Sequence, residues 1–149
     1  MADRPRLIFL LNSAQRRLQQ WMTSQQAWPT GAGGQAPSSA QSGVLFALAK
    51  ADGTTMGQLA EALDLAPSAV SGLIQRMEAL HWVQRRPCPS DARTQRVWLL
   101  DPGRTQLPAL KQALKRVNAR LHDGFSDEEL HTVARWLRHV QHLDDHPSP

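Results

Sequence analysis

The sequence predicts a mainly α-helical fold that contains one small β-hairpin. Apolar residues recur every three or four positions along most of the 149 residues, which is helical spacing. After His81 the pattern changes to alternation, and it returns to helical spacing at Asp101. No apolar run approaches the roughly 18 residues that a membrane-spanning helix requires. The length and the 41% hydrophobic content fit one domain with a substantial core.

Six helices are predicted, over residues 5–28, 40–51, 55–63, 67–80, 101–122 and 126–145. A segment rich in proline and glycine, residues 29–37, forms a linker after the first helix. Thr55 with Gln58, and Ser126 with Glu129, have the spacing of capping boxes. We expect Pro67 and Ser68 to begin the fourth helix, with Ser68 suited to the cap.

The hairpin is predicted between the fourth and fifth helices. Residues 82–86 and 95–100 read as its two strands, and residues 87–93 form the polar loop that joins them. Two short helices joined by a tight turn and followed by a hairpin are the plan of a winged helix-turn-helix. In that arrangement the third helix braces the fourth, whose outer face is free to enter a DNA major groove.

The basic residues are mostly arginine and are unevenly distributed. The net charge is +4, and six arginines lie between positions 76 and 104, where only three carboxylates oppose them. Arginine suits phosphate groups and base edges, so this segment is a candidate nucleic-acid footprint. A solvated charged surface is the alternative interpretation.

The predicted DNA-contacting residues lie on the fourth helix and in the hairpin. Small side chains near the helix start allow close approach of the backbone, the two serines can donate to phosphates or bases, and Gln75 can pair with adenine. Arg76 is placed to contact a phosphate. The full set is Ser68, Ala69, Ser71, Gly72, Gln75, Arg76, Arg86, Asp91 and Arg93.

Residues 58–104, QLAEALDLAPSAVSGLIQRMEALHWVQRRPCPSDARTQRVWLLDPGR, resemble the MarR (multiple antibiotic resistance regulator) family. The closest matches are residues 59–65, 68–78, 83–86, 91–93 and 101–104. The resemblance implies a homodimer formed by helices over residues 5–28 and 101–145, with residues 40–100 as a DNA-binding lobe. It also implies that Arg93 is the wing-tip arginine, which enters a minor groove. Asp91 then orients an arginine by a charge-assisted hydrogen bond, unless it only makes the loop turn.

Two residues depart from the family pattern. Gly72 stands where many relatives carry a polar side chain, so one possible DNA contact is missing. Asp64 stands where helix-turn-helix proteins often use glycine, although aspartate tolerates a left-handed backbone less well.

Three further features each have a functional interpretation and a purely structural one. Cys88 lies in the hairpin near Arg86, where a lowered pKa could make the thiol sensitive to oxidation, or it is an incidental thiol. His131, His139, His142 and His146 suggest a metal-responsive sensor, or simply a surface or interface group. Trp21 and Phe46 are candidates for lining a crevice that binds a small aromatic effector, or are ordinary core.

The functional hypothesis is a sequence-specific DNA-binding transcriptional regulator, a ligand-responsive repressor that acts as a homodimer on a pseudo-palindromic operator. A winged-helix module that binds proteins and never DNA is the alternative. No phosphate-binding glycine loop or nucleophile motif is found, so we expect no enzyme, and no metal or cofactor. A single cysteine excludes an internal disulfide, and the N-terminal apolar run is too short for a signal peptide. We therefore expect a cytoplasmic protein with no membrane partner.

Overall fold

The computed structural model describes residues 6–24 and 36–143. It has seven helices and three strands within those ranges: α1 (Leu7–Ser24), α2 (Ser39–Lys50), β1 (Thr54–Thr55), α3 (Met56–Leu63), α4 (Pro67–Ala79), β2 (Val83–Cys88), β3 (Asp91–Leu99), α5 (Asp101–Arg104), α6 (Leu107–His122) and α7 (Asp127–Gln141). The predicted mainly helical fold with a small hairpin wing is confirmed. Most of the linker predicted over residues 29–37 lies outside the described residues, as does the predicted helical stretch 25–28.

The chain divides into two compact units, residues 1–113 and residues 114–149. The first unit holds α1 to α5 and the beginning of α6, and therefore the whole winged helix-turn-helix. The second unit holds the rest of α6 and α7. No helix in the described residues combines the length and the apolar character needed to cross a membrane.

The predicted helix caps are formed by short-range hydrogen bonds. The backbone N–H of Gln58 donates to Thr55 Oγ1 at 3.2 Å, and the backbone N–H of Thr55 donates to Gln58 Oε1 at 3.0 Å, which completes a capping box at α3. Ser126 and Glu129 form the same motif at α7. The prediction for α4 was wrong in one respect, because Ala66 is the N-cap residue and no side chain caps the helix.

Two non-glycine residues with left-handed backbone end α3 and α4. Asp64 has φ 52° at the turn of the helix-turn-helix, in the conformation that usually favours glycine. His81 has φ 56°, and the N–H of Trp82 donates to the carbonyl of Met77 at 3.0 Å across it. The second turn redirects the chain from α4 into β2, so it sets where the wing begins.

The three strands form one antiparallel sheet in the order β1-β3-β2. The sequence did not predict β1, and it placed in a loop several residues that belong to β2 and β3. Pro87 is tolerated inside β2 because β2 is an edge strand of this sheet, where a missing N–H need not break a ladder. The connection between β2 and β3 is therefore a tight turn at residues 89–90 rather than a long loop.

A single apolar cluster holds the winged helix-turn-helix together. It takes side chains from α2, α3, α4, β2, β3 and the start of α6: Val44, Leu45, Leu48, Leu59, Ala60, Val70, Leu73, Ile74, Met77, Trp82, Val83, Val97, Leu99 and Leu110. Four of these come from one side of α4, so the opposite side of α4 is free of the core. The core thus fixes which face of α4 is presented outward.

The predicted helix over residues 101–122 is two helices. The short α5 ends at Arg104, and α6 begins at Leu107. Thr105 Oγ1 donates to the carbonyl of Pro102 at 2.8 Å and Gln106 Nε2 donates to the same carbonyl at 3.3 Å, which satisfies the end of α5 by side chains. Pro108 then lies in the first turn of α6, where a proline does not break a helix.

Candidate nucleic-acid interface

The outer face of α4 carries the residues predicted to meet DNA. Ser68, Ala69, Ser71, Gln75 and Arg76 are exposed. The inner face is held by buried apolar side chains, Val70, Leu73, Ile74 and Met77. Because Ser68 does not cap the helix, its hydroxyl is available on this face. The result is a polar, small-residue surface on a helix that is rigidly braced from behind.

Arg76 lies back along α4 toward Gly72. A Cβ atom built on Gly72 would stand 3.5 Å from Arg76 Nη1, so the guanidinium reaches one turn toward the helix start. That position places the positive charge in the middle of the outer face rather than at its end. Because 3.5 Å is an ordinary van der Waals distance, alanine would also fit at position 72, and the packing of Arg76 does not require the glycine.

The wing tip is a bulge that carries Arg93. Pro87 pairs with Gln95, but the next residue, Cys88, pairs with Asp91, so residues 92–94 of β3 have no counterpart on β2. Arg93 is exposed in the middle of this bulge. Ala92 and Arg93 are both exposed, so the bulge presents their side chains to solvent at the end of the hairpin.

Asp91 shapes the bulge through the backbone. Its Oδ1 accepts from the N–H of Arg93 at 3.0 Å, and its Oδ2 accepts from Thr94 Oγ1 at 3.1 Å. In the described part of the chain no guanidinium is among the hydrogen-bond partners of Asp91. The structure therefore favours the turn-forming alternative for Asp91 over the orientation of an arginine side chain.

Glu78 fastens the wing to α4. Its Oε1 accepts from the backbone N–H of Arg85 at 2.8 Å, and its Oε2 accepts from Arg85 Nε at 2.9 Å. Burial raises the pKa of Glu78, but the hydrogen bonds and positive charge of Arg85 outweigh burial and leave that pKa lowered. Glu78 is thus held as a carboxylate, and its two hydrogen bonds to Arg85 join α4 to β2.

Arg86 is exposed on β2, and two neighbouring side chains contact its guanidinium. Its Nε and Nη2 donate to Gln84 Oε1 at 3.2 and 3.0 Å. Its guanidinium carbon lies 6.0 Å from the centre of the Trp98 ring, at the limit of a cation–π contact. Arg86 remains exposed, so its charge is available to a phosphate.

Two other arginines of the basic segment are engaged within the fold. Arg104 Nη2 donates to Asp52 Oδ2 at 2.6 Å, while Asp52 Oδ1 accepts from the backbone N–H of Leu99 at 2.8 Å. Arg96 Nη1 donates to the carbonyl of Gly53 at 2.8 Å. With Arg85 bound to Glu78, three of the six clustered arginines serve the fold, and Arg76, Arg86 and Arg93 remain outward.

The comparisons with known proteins agree with this geometry. A model of the MarR family matches residues 37–94, which span the linker end, α2, α3, α4 and the hairpin as far as Thr94. The MarR resemblance predicted from the sequence is confirmed. Among curated proteins, none matches this sequence significantly.

Solved structures extend the MarR-type fold over most of the chain. A probable transcriptional regulator from Pseudomonas aeruginosa is 22% identical with a TM-score of 0.75, and the match covers 91% of this chain and 96% of that one. The PcaV transcriptional regulator from Streptomyces coelicolor, solved with its natural ligand, is 20% identical with a TM-score of 0.74, covering 95% and 97%. BpsR of Bordetella bronchiseptica, whose DNA binding is regulated by 6-hydroxynicotinic acid, is 22% identical with a TM-score of 0.69, covering 88% and 98%.

The two candidate effector residues lie on different helices of the MarR-type fold. Trp21 is half-buried on α1. Phe46 is half-buried on α2 and packs against the apolar core, as the ordinary-core alternative expects. The crevice assignment therefore stays a prediction.

The histidines considered as metal ligands do not form a metal site among the described residues. No group of three histidine, cysteine, aspartate or glutamate side chains there is placed to share an ion. The Nδ1 atom of His131 lies 2.6 Å from the carbonyl oxygen of Asp127 within α7, and that of His142, the C-cap residue, lies 2.8 Å from the carbonyl oxygen of Arg138. His146 lies outside the described residues.

Cys88 lies at the start of the bulge and is only 8% exposed. Arg96 Nε donates to its Sγ at 3.4 Å, and Ser90 Oγ lies 3.2 Å from the same atom. The hydrogen bond from Arg96, followed by those from Ser90 and Asp91, lowers the pKa of Cys88 from its ordinary 9.0 to about 6, against a smaller opposing effect of burial. The thiol is therefore expected to be ionised at neutral pH.

The ionisation of Cys88 gives a pH-dependent stability. Because the pKa is about 6 in the folded chain and 9.0 in the unfolded chain, its stabilisation is complete above pH 9 and is lost as the pH falls to 6. We expect the denaturant midpoint to rise between pH 6 and pH 9 more steeply in the natural protein than in Cys88→Ser. Ultraviolet absorbance of the thiolate, which only this cysteine can give, should be half-maximal near pH 6. A midpoint near pH 9 would contradict the hydrogen bond from Arg96.

Sequence reasoning missed several residues that shape the site. Glu78, Asp52 and His81 were not singled out. Glu78 joins α4 to the wing, Asp52 joins the turn before β1 to β3, and His81 lies in the turn from α4 to β2. A left-handed histidine leaves no local sequence signal. The partners of Asp52, Leu99 and Arg104, lie far along the chain, so no local sequence pattern marks this residue.

Proposed function

We propose that this chain is a sequence-specific DNA-binding transcriptional regulator. The observation that carries the proposal is the pairing of an outward polar face on α4 with an arginine-bearing bulge, fastened together by Glu78 and Arg85. A helix fits the major groove, and an arginine on a projecting loop fits the neighbouring minor groove. The residues that touch DNA are those of α4 named above, together with Arg86 and Arg93, while Asp91 shapes the tip.

The regulator acts as a homodimer. Helix α1 exposes four consecutive apolar residues, of which Ile8 and Phe9 are 80% and 61% exposed. Large apolar side chains are also exposed on α6, α7 and near them, among them Leu114, Leu121, Val133 and Leu137. Apolar surface of this extent is normally covered by a partner, and these helices lie within the predicted dimerisation segments 5–28 and 101–145. A two-fold dimer would meet half-sites about 10 bp apart in a pseudo-palindromic operator.

A small aromatic acid relieves repression. Relatives with this fold include PcaV, solved with its natural ligand, and BpsR, regulated by 6-hydroxynicotinic acid. Trp21 and Phe46 are the aromatic side chains proposed to line the effector site. An effector acts only if it prefers the conformation with lower DNA affinity, so it should bind less tightly to the DNA complex.

The proposal is tested by selecting fragments from the genome of the source organism with purified protein. We expect a discrete set of fragments to be retained, each bound by two protomers. Their affinity should fall steeply when the titration is repeated at higher salt, because phosphate contacts release counterions. Retention of no fragment at low salt would favour the alternative, a winged-helix module that binds proteins.

The effector is tested on a selected fragment. Addition of 6-hydroxynicotinic acid and of related aromatic acids should release the DNA at concentrations that do not unfold the protein. Trp21→Ala and Phe46→Ala should retain DNA binding and lose the release. Release from both variants at the natural concentration would exclude these residues as the effector site.

A further inference from the structure

We propose that Arg96 is a positioning residue for DNA binding, which ties the start of the wing-tip bulge to the turn before β1 and so holds Arg93 for the minor groove. This inference rests on the proposed function. It assigns to Arg96 a role different from that of the arginines that face outward. Arg86 and Arg96 are direct partners in the sheet, yet their roles differ. Arg86 contacts a phosphate, and Arg96 positions the wing tip.

The contacts of Arg96 join two parts of the fold. Its Nη1 donates to the carbonyl of Gly53 at 2.8 Å, and its Nε donates to Cys88 Sγ at 3.4 Å. Gly53 lies before β1, whereas Cys88 is the residue at which the β2–β3 register shifts. One guanidinium therefore connects the turn before β1 to the beginning of the bulge.

The turn around Gly53 is a firm anchor. The N–H of Gly53 donates to the carbonyl of Val97 at 3.1 Å, and Asp52 accepts from the N–H of Leu99. Gly53 has φ 75°, and a Cβ there would come within 2.7 Å of the Trp98 ring. These contacts fix the turn to β3 before the carbonyl that Arg96 binds, and the pairing of β1 with β3 fixes it after that carbonyl, so the contact can restrain the far end of the wing.

The pairing of Arg86 with Arg96 explains why the second arginine turns inward. The two are direct Cα partners on β2 and β3, and like charges in that position repel. Arg86 is drawn toward Gln84 and Trp98, while Arg96 is half-buried against its two acceptors. The thiolate of Cys88, with its pKa near 6, offsets the charge of Arg96 at neutral pH.

The experiment compares Arg96→Met with its sheet partner Arg86→Met. Affinity for a selected genomic duplex is measured by fluorescence anisotropy at neutral pH over a series of salt concentrations. Arg96→Met should bind roughly ten-fold more weakly, since a charge-assisted restraint on the wing is removed. The slope of log affinity against log salt should stay unchanged, because removal of the guanidinium is accompanied by reprotonation of Cys88. Arg86→Met should reduce that slope by about 0.9 for each phosphate that the arginine no longer neutralises.

Two results would overturn the proposal. If Arg96→Met reduces the salt slope as Arg86→Met does, Arg96 contacts DNA directly. If Arg96→Met binds as tightly as the natural protein, the wing does not need the tie.

The lysine variants supply a second test that does not depend on removing the charge. Arg86→Lys should keep most of the affinity, because a phosphate accepts either cation. Arg96→Lys should stay weakened, because an ammonium lacks the planar fork that reaches both acceptors. Full affinity in Arg96→Lys would show that charge alone matters and would contradict the positioning role.

A measurement without DNA separates this inference from the proposed function. In Arg96→Met the thiolate absorbance of Cys88 should reach half its maximum well above pH 6, toward 9.0. An unchanged midpoint would refute the contact itself. If the natural protein binds no duplex while this midpoint moves as expected, the proposed function fails although the tie exists.

Discussion

Replacing Arg93 by alanine is expected to weaken binding to duplex DNA about a hundred-fold. The side chain is exposed in a bulge whose three residues have no partner on β2, so in the described part of the chain it is open to solvent. In each protomer of a dimer the substitution should weaken binding about ten-fold, and the two effects multiply. The weakening should extend to most sequences, and the salt dependence should become flatter because fewer counterions are released. Fluorescence anisotropy on selected and random duplexes measures both effects.

The control for this variant is Arg17→Ala. Arg17 is an exposed arginine of α1, so its replacement removes the same charge from a helix assigned to dimerisation. It should change the affinity less than about three-fold, as removal of a distant, screened charge does. Equal effects of the two variants would mean that net charge drives binding, and unchanged affinity in Arg93→Ala would refute the wing assignment.

Replacing Gly103 by alanine is expected to lower the free energy of unfolding by about 3 kcal/mol. A Cβ on Gly103 would overlap the backbone carbonyl oxygen of Trp82 and come within 2.9 Å of Leu99 Cδ1. A backbone atom cannot move aside as a side-chain end can, so α5 would separate from the start of β2. The measurement is the denaturant midpoint at constant slope.

Gly57→Ala is the matched control, since Gly57 is also a helical glycine. No atom outside its own helical neighbourhood lies within 4 Å of a Cβ built there. Alanine should stabilise the protein by about 0.5 kcal/mol through the lower entropy of the unfolded chain. If both variants destabilise equally, the close approach of Gly103 to β2 is not what the glycine serves.

The features that sequence reasoning predicted well depend on neighbours a few positions apart. The capping boxes of Thr55 and Ser126 are complete within three residues, and both occur in the structure. The apolar side of α4 was equally accessible, because helical spacing alone marks Val70, Leu73, Ile74 and Met77 as core. The outer face of α4 could be predicted as the side that carries none of these core residues. DNA contact there stays a prediction.

The wing was predicted less accurately because strand pairing is not local. Pro87, Pro89 and Ser90 indicated a loop, yet an edge position lets β2 continue to Cys88 and a bulge lets β3 begin at Asp91. The break between α5 and α6 has no glycine, and side-chain bonds from Thr105 and Gln106 produce it.

The sequence also did not predict which arginines bind within the fold and which face outward. Arg96 and Arg104 find their partners 43 and 52 positions away, at Gly53 and Asp52. Composition shows a cluster of charge, whereas only the folded chain separates the arginines that build the wing from those that face outward. This distinction determines which substitutions should change DNA binding and which should change stability.

The central claim is that the outer face of α4 and the wing tip meet DNA together. The most direct test places a photo-crosslinking amino acid at Ser71, at Ala92 or, as a control, at Glu128 in the first turn of α7, and irradiates each protein with a selected duplex. We predict crosslinks to DNA from Ser71 and from Ala92, and none from Glu128. Crosslinking from Glu128 alone, or a duplex that is bound without crosslinks from Ser71 and Ala92, would contradict this claim.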